Sequence, residues 1–141
     1  MTSLPDGAAG ALAVGWATVE LDRAARELSD LIGSGHVFGD APPSEALGAR
    51  CRVGSGAAEG GVRIVLLEPD TEGRLSAALA RHGEGWVATW VTAPAAPAAP
   101  PSTDAALSGA RPGPLGTERL VLGAPVTGPY RLIVEAVPSR P

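Results

Sequence analysis

The side chains of this sequence that could do chemistry are few and widely separated. Two histidines, His36 and His82, and one cysteine, Cys51, are the imidazole and thiol ligands available to a transition metal. A single cysteine excludes an internal disulfide and any zinc site built on paired cysteines. No Ser-His-Asp spacing or nucleotide fingerprint is present, and the glycine-rich stretch 54–61 lacks the lysine of a phosphate-binding loop. The families that depend on these signatures are therefore excluded.

Charge and hydropathy exclude two further classes of partner. The 141 residues carry 11 basic and 15 acidic side chains, for a formal net charge of −4, and the basic residues form no cluster. A nucleic-acid-binding protein needs a positive stripe that displaces counterions, so we expect no nucleic-acid partner. No apolar run approaches the length of a membrane-spanning helix, and residues 1–10 lack the charged start of a secretory signal. We expect a cytoplasmic protein with no membrane partner.

The elements that must position the functional side chains alternate between strand and helix patterns. Residues 12–19 form an apolar run of strand length, and residues 21–32 and 71–82 carry apolar side chains at helical spacing. Short apolar or alternating runs predict the remaining strands, which cover residues 35–40, 46–53, 62–67, 86–91, 118–122 and 130–137. We expect Ala41, Pro42 and Pro43 to break the strand before them. This order predicts an α+β fold.

The Ala, Gly and Pro residues divide the chain into four parts. Residues 1–11 are small and polar, and we expect a flexible N-terminus. Residues 12–92 hold most of the patterned strands and both helices, and residues 115–137 hold the terminal strands. Between them, residues 93–114 form an Ala/Pro-rich linker, in which the sequence APAAPAAPP favours an extended, polyproline-like chain.

Three stretches carry a resemblance to a known family. The sequence from Gly61 to Val91, GVRIVLLEPDTEGRLSAALARHGEGWVATWV, is the strongest, followed by Val19 to Leu28 and the ending GPYRLIVEAV. They resemble the vicinal oxygen chelate superfamily, which includes glyoxalase I, extradiol dioxygenases and bleomycin-resistance proteins, and most of all its methylmalonyl-CoA epimerase-like branch. The resemblance implies paired βαβββ modules that form a curled half-barrel sheet with a concave site. This chain departs from the family in its second module, which we expect to be shortened because the Ala/Pro tract stands where the family usually has a helix and an extra strand. The resemblance also implies that the protein forms a homodimer.

The resemblance further implies where metal ligands would stand. In metal-using members they are His, Glu or Gln on the first strand, the fourth strand, the strand after the GEG turn and the last strand. Apolar side chains cannot ligate a divalent ion, so we expect the metal site to be lost and no cofactor to be bound. At the four ligand positions, in the order of the strands given above, this sequence has Val14 or Gly15, then Val65, then Val87 or Ala88, and finally Glu135.

Alternation along the strands predicts which side chains would share the concave face. If Val14, Val65 and Ala88 face the cavity, their alternate neighbours face it too. Flat aromatic walls with a few polar groups suit a planar, partly aromatic ligand. The alternative is that the tryptophans are core residues, since a shift of one residue in register reverses the assignment. The candidate ligand-binding residues are Trp16, Thr18, Trp86, Trp90 and Tyr130.

Three functional hypotheses follow, in this order. The first is a metal-independent, glyoxalase- or bleomycin-resistance-like protein that binds a small, partly aromatic organic molecule in a Trp-lined cavity. The second is a metal-free isomerase, lyase or cyclase, with Glu135 as the base and Arg63 as the stabiliser of negative charge. Both residues could instead be solvent-facing charges. The third is a metal-dependent lyase or epimerase. Glu84 is expected to shape its turn, and Cys51 to be a small core residue.

Overall fold

A computed structural model describes residues 11–32, 37–57, 62–92, 107–122 and 129–134. Two helices and seven strands form within them, and all seven strands belong to one sheet. The helices are α1 (Leu21–Ile32) and α2 (Arg74–His82). The strands are β1 (Ala13–Ala17), β2 (Phe38–Ser44), β3 (Ala49–Ala57), β4 (Arg63–Pro69), β5 (Gly85–Thr92), β6 (Glu118–Leu120) and β7 (Tyr130–Val134).

The sheet consists of two groups of strands that meet at its centre: β1 to β4 form the first group, and β5 to β7 form the second. Its order is β2-β3-β4-β1-β5-β7-β6. In the first group β1 is parallel to β4, and in the second β5 is parallel to β7, while β1 and β5 are antiparallel. The first group with α1 is a βαβββ module. The second group contributes β5, β6, β7 and an isolated bridge between Leu107 and Val121. Residues 93–106, which hold most of the expected linker, lie outside the described residues.

The two edges of the sheet meet, which shows the direction in which it curls. In a flat sheet the six intervals from β2 to β6 would separate these strands by about 29 Å. Instead, the hydroxyl of Ser44 on β2 donates a hydrogen bond of 2.7 Å to Glu118 on β6. Side chains of opposite edges can meet only on the concave face. The expected α+β fold with a curled half-barrel sheet is confirmed.

Each face of the sheet has its own core. The convex face packs against α1 through Val14 and Leu66 of the sheet and Leu21 and Leu28 of the helix. The concave face carries the larger cluster, which α2 joins through Leu75 and Ala78. The sheet residues of that cluster are Ala13, Ala17, Ala49, Cys51, Val65, Leu67, Val87, Ala88, Trp90, Leu120, Tyr130, Leu132 and Val134.

One expected strand end is wrong. The sequence places a break at residues 41–43, but β2 continues through them to Ser44. Ala41 pairs with Cys51 and Ser44 pairs with Ala49, so the register shifts across the two prolines. Proline has no N–H to donate, and an edge strand tolerates it where a bulge leaves it out of the ladder.

Candidate functional site

The middle of the concave face is formed by residues from three neighbouring strands. Gly15 on β1 pairs with Val65 on β4 and with Ala88 on β5. The side chain of Val14 points the other way, into the convex core beneath α1. Of the two residues expected at the first-strand position, Gly15 is therefore the one on the concave face.

The indole of Trp90 fills the space above Gly15. A Cβ added to Gly15 would lie 2.7 Å from Cζ3 of Trp90 and 2.9 Å from Cδ1 of Leu67, closer than packed atoms approach each other. Trp90 is fully buried. The absence of a side chain at Gly15 is thus what allows Cζ3 and Cη2 of the indole to come this close to the sheet. The centre of the half-barrel is a packed core.

The three tryptophans do not line one cavity, and this expectation is wrong. Trp16 and Trp86 belong to the convex cluster, where their rings meet edge to face with centroids 5.1 Å apart. Trp90 belongs to the concave cluster. Along β5, Ala88 pairs with Gly15 while Trp86 pairs with Trp16, so Val87 is an extra, bulged residue. The bulge reverses the alternation and places Trp86 and Trp90 on opposite faces.

The other candidate residues do not converge on one site. The hydroxyl of Thr18 donates to Glu84 over 2.8 Å, and the hydroxyl of Tyr130 donates to the carbonyl of Arg74 over 2.7 Å. The exposed Arg63 donates to the carbonyl of Gly54. Glu135, the candidate base, and His36 lie outside the described residues. Burial of Thr18 and Tyr130 comes from their contacts within the fold.

Glu84 organises the turn between α2 and β5. Its Oε2 accepts hydrogen bonds from the Arg23 guanidinium at 2.6 Å, the Thr18 hydroxyl at 2.8 Å and the backbone N–H of Val19 at 2.9 Å. The hydrogen bond from Arg23 is the largest cause that lowers the pKa of Glu84 to about 2. Glu84 is therefore ionised at neutral pH, and its charge ties α1 to the end of β1. This agrees with the expected role in shaping the turn.

Glu118 is an unusual residue that the sequence analysis did not single out. It is fully buried, with Oε2 accepting from the Ser44 hydroxyl and Oε1 accepting from Nε1 of Trp90 at 2.9 Å. Burial raises the pKa of Glu118, and the two hydrogen bonds only partly oppose that effect. The signal was present in the sequence, since alternation places Glu118 on the same face as the buried Leu120.

Solved structures similar to this chain include several methylmalonyl-CoA epimerases. The Mycobacterium tuberculosis enzyme matches with a TM-score of 0.68 and 23% identity, over 96% of this chain and 94% of that chain. A variant of the Streptomyces coelicolor enzyme in complex with 2-nitronate-propionyl-CoA matches with a TM-score of 0.67 and 16% identity, over 93% of this chain and 99% of that chain. This chain has the vicinal oxygen chelate fold. No family model and no curated protein matches it.

The metal that the vicinal oxygen chelate fold implies does not fit these residues. Gly15, Val65 and Ala88 offer no side-chain nitrogen, oxygen or sulfur, and the indole of Trp90 covers Gly15. Within the described ranges, no group of three His, Cys, Asp or Glu residues is placed to hold an ion. We therefore derive no chemical step through a metal.

An open cleft remains beside the packed centre of this vicinal oxygen chelate fold. It has a volume of about 360 Å³ and lies between α2 and the ends of β1, β5 and β7. Its polar side chains are His82 and Glu84, which stand on either side of Gly83. The residues that complete its wall are Ala17, Ala78, Gly85, Trp86, Val87 and Pro129.

A second cleft, of about 380 Å³, is lined mainly by charged residues. It lies between the start of α1 and strands β2, β3 and β4. Arg50 pairs with Glu68, and Arg52 pairs with Asp22, but five carboxylates line the cleft against these two arginines, so it keeps an excess of negative charge. Glu68 also accepts a hydrogen bond from the first backbone N–H of α1, at Leu21. These contacts hold the helix against the sheet.

No helix in the described part of the chain is long and apolar enough to cross a bilayer.

Proposed function

We propose that this protein binds a small, partly aromatic organic molecule without a metal, as a glyoxalase- or bleomycin-resistance-like member of its fold. The single observation that carries this proposal is the indole of Trp90 packed on Gly15. Where the fold would hold a chelated ion, this chain has a tryptophan and three residues without donor atoms. Binding rather than metal-assisted chemistry is therefore the function that this site supports best.

The open cleft beside α2 takes the place of the expected Trp-lined cavity. Ala17, Ala78 and Val87 give it apolar walls, and Trp86 borders it while its ring packs against Trp16 in the convex cluster. Its volume of about 360 Å³ lies at the small end of the usual range for ligand pockets. A ligand of one or two fused rings fits such a site. Trp86 is thus the one candidate ligand-binding residue from the sequence that lines the open cleft.

Glu84 gives the cleft a preference for a hydrogen-bond donor. The three hydrogen bonds from Thr18, Val19 and Arg23 all end on Oε2, and none of the described residues donates to Oε1. Because the carboxylate stays ionised, Oε1 is a strong acceptor. A ligand with an N–H or O–H group at the end nearest this turn matches that acceptor, while its ring contacts the apolar walls.

The test is a binding measurement with a variant that fills the cleft. A panel of aromatic amines and phenolic compounds is titrated into the full chain and followed by calorimetry. Gly85 lines the cleft, and a side chain there would start in open space. We expect Gly85→Leu to weaken binding by about tenfold or more, because the leucine side chain occupies space that the ligand needs. Gly39→Leu is the matched control, since Gly39 also has open space around it but lies on β2.

Two results would overturn this proposal. One is that no compound in the panel binds, and the other is that Gly85→Leu binds as tightly as the wild type. Elemental analysis of the purified protein adds an independent check, for which we expect no stoichiometric Zn, Ni, Mn or Fe. The metal-free acid–base alternative gains no support from the described residues, because Arg63 bonds the Gly54 carbonyl and Glu135 lies outside them. The homodimer stays a prediction.

A further inference from the structure

The two edge strands of the sheet are joined by a set of contacts that we call the edge seam. It consists of the hydrogen bond from Ser44 to Glu118, the hydrogen bond from the N–H of Glu45 to the carbonyl of Pro112, and the ion pair of Arg111 with Glu45. The donor–acceptor distances of the two hydrogen bonds are 2.7 and 3.2 Å, and the nitrogen–oxygen distance of the ion pair is 3.6 Å. The edge seam closes the half-barrel over its own concave core.

The buried end of the edge seam is a carboxyl group held by neutral donors. Ser44 and Trp90 donate to Glu118, and neither side chain titrates in the range of interest. None of the described residues supplies a positive charge that offsets this burial, and burial raises the pKa of the carboxyl. An ionised carboxylate without a positive partner is costly to bury, so the closed seam favours the protonated form.

The titratable groups around Glu118 do not supply the missing charge. From β3, Cys51 faces it, and burial raises the pKa of that thiol to about 12, so the thiol stays neutral. On β7, Val134 pairs with Glu118, and Tyr130 lies four residues before Val134. The hydroxyl of Tyr130 donates a hydrogen bond to the carbonyl of Arg74. Arg111 pairs with Glu45 at the exposed rim of the seam.

The segment that covers the carboxyl is fitted closely to it. A Cβ at Gly113 would overlap the carboxyl group of Glu118, so only glycine allows the chain to pass there. Backbone hydrogen bonds between Arg111 and Glu118, of 2.8 and 2.9 Å, fold this segment back on β6. The segment therefore covers the carboxyl on this side, and Glu118 is fully buried beneath it. Hydration requires the segment to move.

We propose that the edge seam is a proton-controlled gate, which is closed while Glu118 is protonated and opens when Glu118 ionises. Opening separates β6 and its preceding segment from β2 and exposes the concave core at Trp90 and Cys51. The gate concerns the interior of the half-barrel rather than the open cleft beside α2, so it goes beyond the proposed function and does not depend on it.

The sign of the pH dependence follows from the direction of the shift. In the open state Glu118 is hydrated and titrates near its ordinary pKa of about 4.3. In the closed state its pKa is raised. The closed state is therefore fully favoured below the ordinary value and loses stability as the pH rises. Above the raised pKa both states are ionised, and the opening equilibrium no longer changes with pH.

The single cysteine of the chain reports on the gate through the change of its reaction rate with pH. Cys51 is buried in the concave core but also lines the charged cleft, so reaction through that cleft is a background that the Glu118→Gln variant shares. Alkylation of the full chain by iodoacetamide is timed from pH 5 to pH 9, and each rate is divided by the rate of free cysteine at the same pH. We expect this normalised rate to rise through the titration of Glu118, by at most about tenfold per pH unit. Far-UV circular dichroism must stay constant over the same range.

Glu118→Gln removes the titration while keeping the shape of the side chain. We expect its normalised rate to be independent of pH, whereas Glu72→Gln, the same change at an exposed residue, should behave as the wild type does. A wild-type rate without pH dependence would overturn the gate, and so would a rise that persists in Glu118→Gln. If Glu118→Gln does not fold, Ser44→Ala replaces it. Because the Ser44 hydrogen bond lowers the pKa of Glu118, its removal should extend the rise to higher pH, and an unmoved profile contradicts the gate.

Discussion

Glu84 and Glu118 are glutamates of the same fold whose surroundings shift their pKa values in opposite directions. At the turn before β5, Glu84 meets a guanidinium and solvent, and its pKa falls to about 2. At the start of β6, Glu118 meets a hydroxyl and an indole in a dry core, and its pKa rises. The charge of the donor and access to water decide the direction in each case.

The two glutamates also mark two different regions of the half-barrel: Glu84 lies at the open cleft beside α2, and Glu118 lies in the core closed by the edge seam. The ionised Glu84 stands beside a cleft that a ligand can enter, and its Oε1 is available for a donor. Glu118 stands beneath the edge seam, fully buried and in close contact with Trp90 and Gly113. We infer that binding and gating belong to different regions of one half-barrel.

The largest expected effect comes from removing the side chain that fills the closed region. Trp90→Ala leaves a large void and removes a hydrogen bond to Glu118, so we expect the free energy of unfolding to fall by about 3–5 kcal/mol. Trp86→Ala is the control from the convex face, where the ring is only half-buried, and we expect a smaller loss. Denaturant unfolding followed by circular dichroism measures both. Equal losses would remove the distinction between the two faces.

A smaller effect is expected from the glycine beneath the indole. Gly15→Ala forces a methyl group against Trp90 and Leu67, and we expect a loss of about 1–3 kcal/mol in the free energy of unfolding. Gly39→Ala makes the same change on β2, where the added Cβ meets no atom within 4 Å. We expect this control to leave the stability nearly unchanged. If both variants unfold at the same denaturant concentration, the indole does not pack on Gly15.

The smallest effect is expected at the open region. Glu84→Gln weakens the contacts with Arg23, Thr18 and Val19, and we expect the free energy of unfolding at pH 7 to fall by about 1 kcal/mol. In the wild type this contribution is present above the ordinary glutamate pKa and is lost as the pH falls toward 2. The two proteins should therefore converge in acid. A difference that persists unchanged at pH 2 would contradict the assignment.

The fold could be predicted from the sequence because it depends on long patterns. The segment from Gly61 to Val91 carries the strand, helix and strand of this fold in order, and α1 has a continuous amphipathic pattern. The division of the tryptophans could not be predicted, because it depends on one bulged residue, Val87. A local insertion of this kind changes the face of every residue that follows and leaves little trace in composition or spacing.

The importance of Glu118 could be predicted only in part. Its place on the inner face follows from alternation with Leu120, but its partners Ser44 and Trp90 are 74 and 28 residues away in the chain. Contacts between opposite edges of a sheet depend on how far the sheet curls, and curvature is set by the packing of the whole core. The candidate site at Glu135 could not be compared, since that residue lies outside the described ranges.

The contrast between the two glutamates can be measured directly by carbon NMR of the side-chain carboxyl groups across a pH titration. The account predicts a midpoint near pH 2 for Glu84 and a midpoint above the ordinary glutamate value of about 4.3 for Glu118. The edge-seam variant Ser44→Ala should raise the midpoint of Glu118 further and leave that of Glu84 unchanged. A midpoint for Glu118 at or below 4.3 would contradict the account, because the carboxyl would then be hydrated or paired with a positive charge.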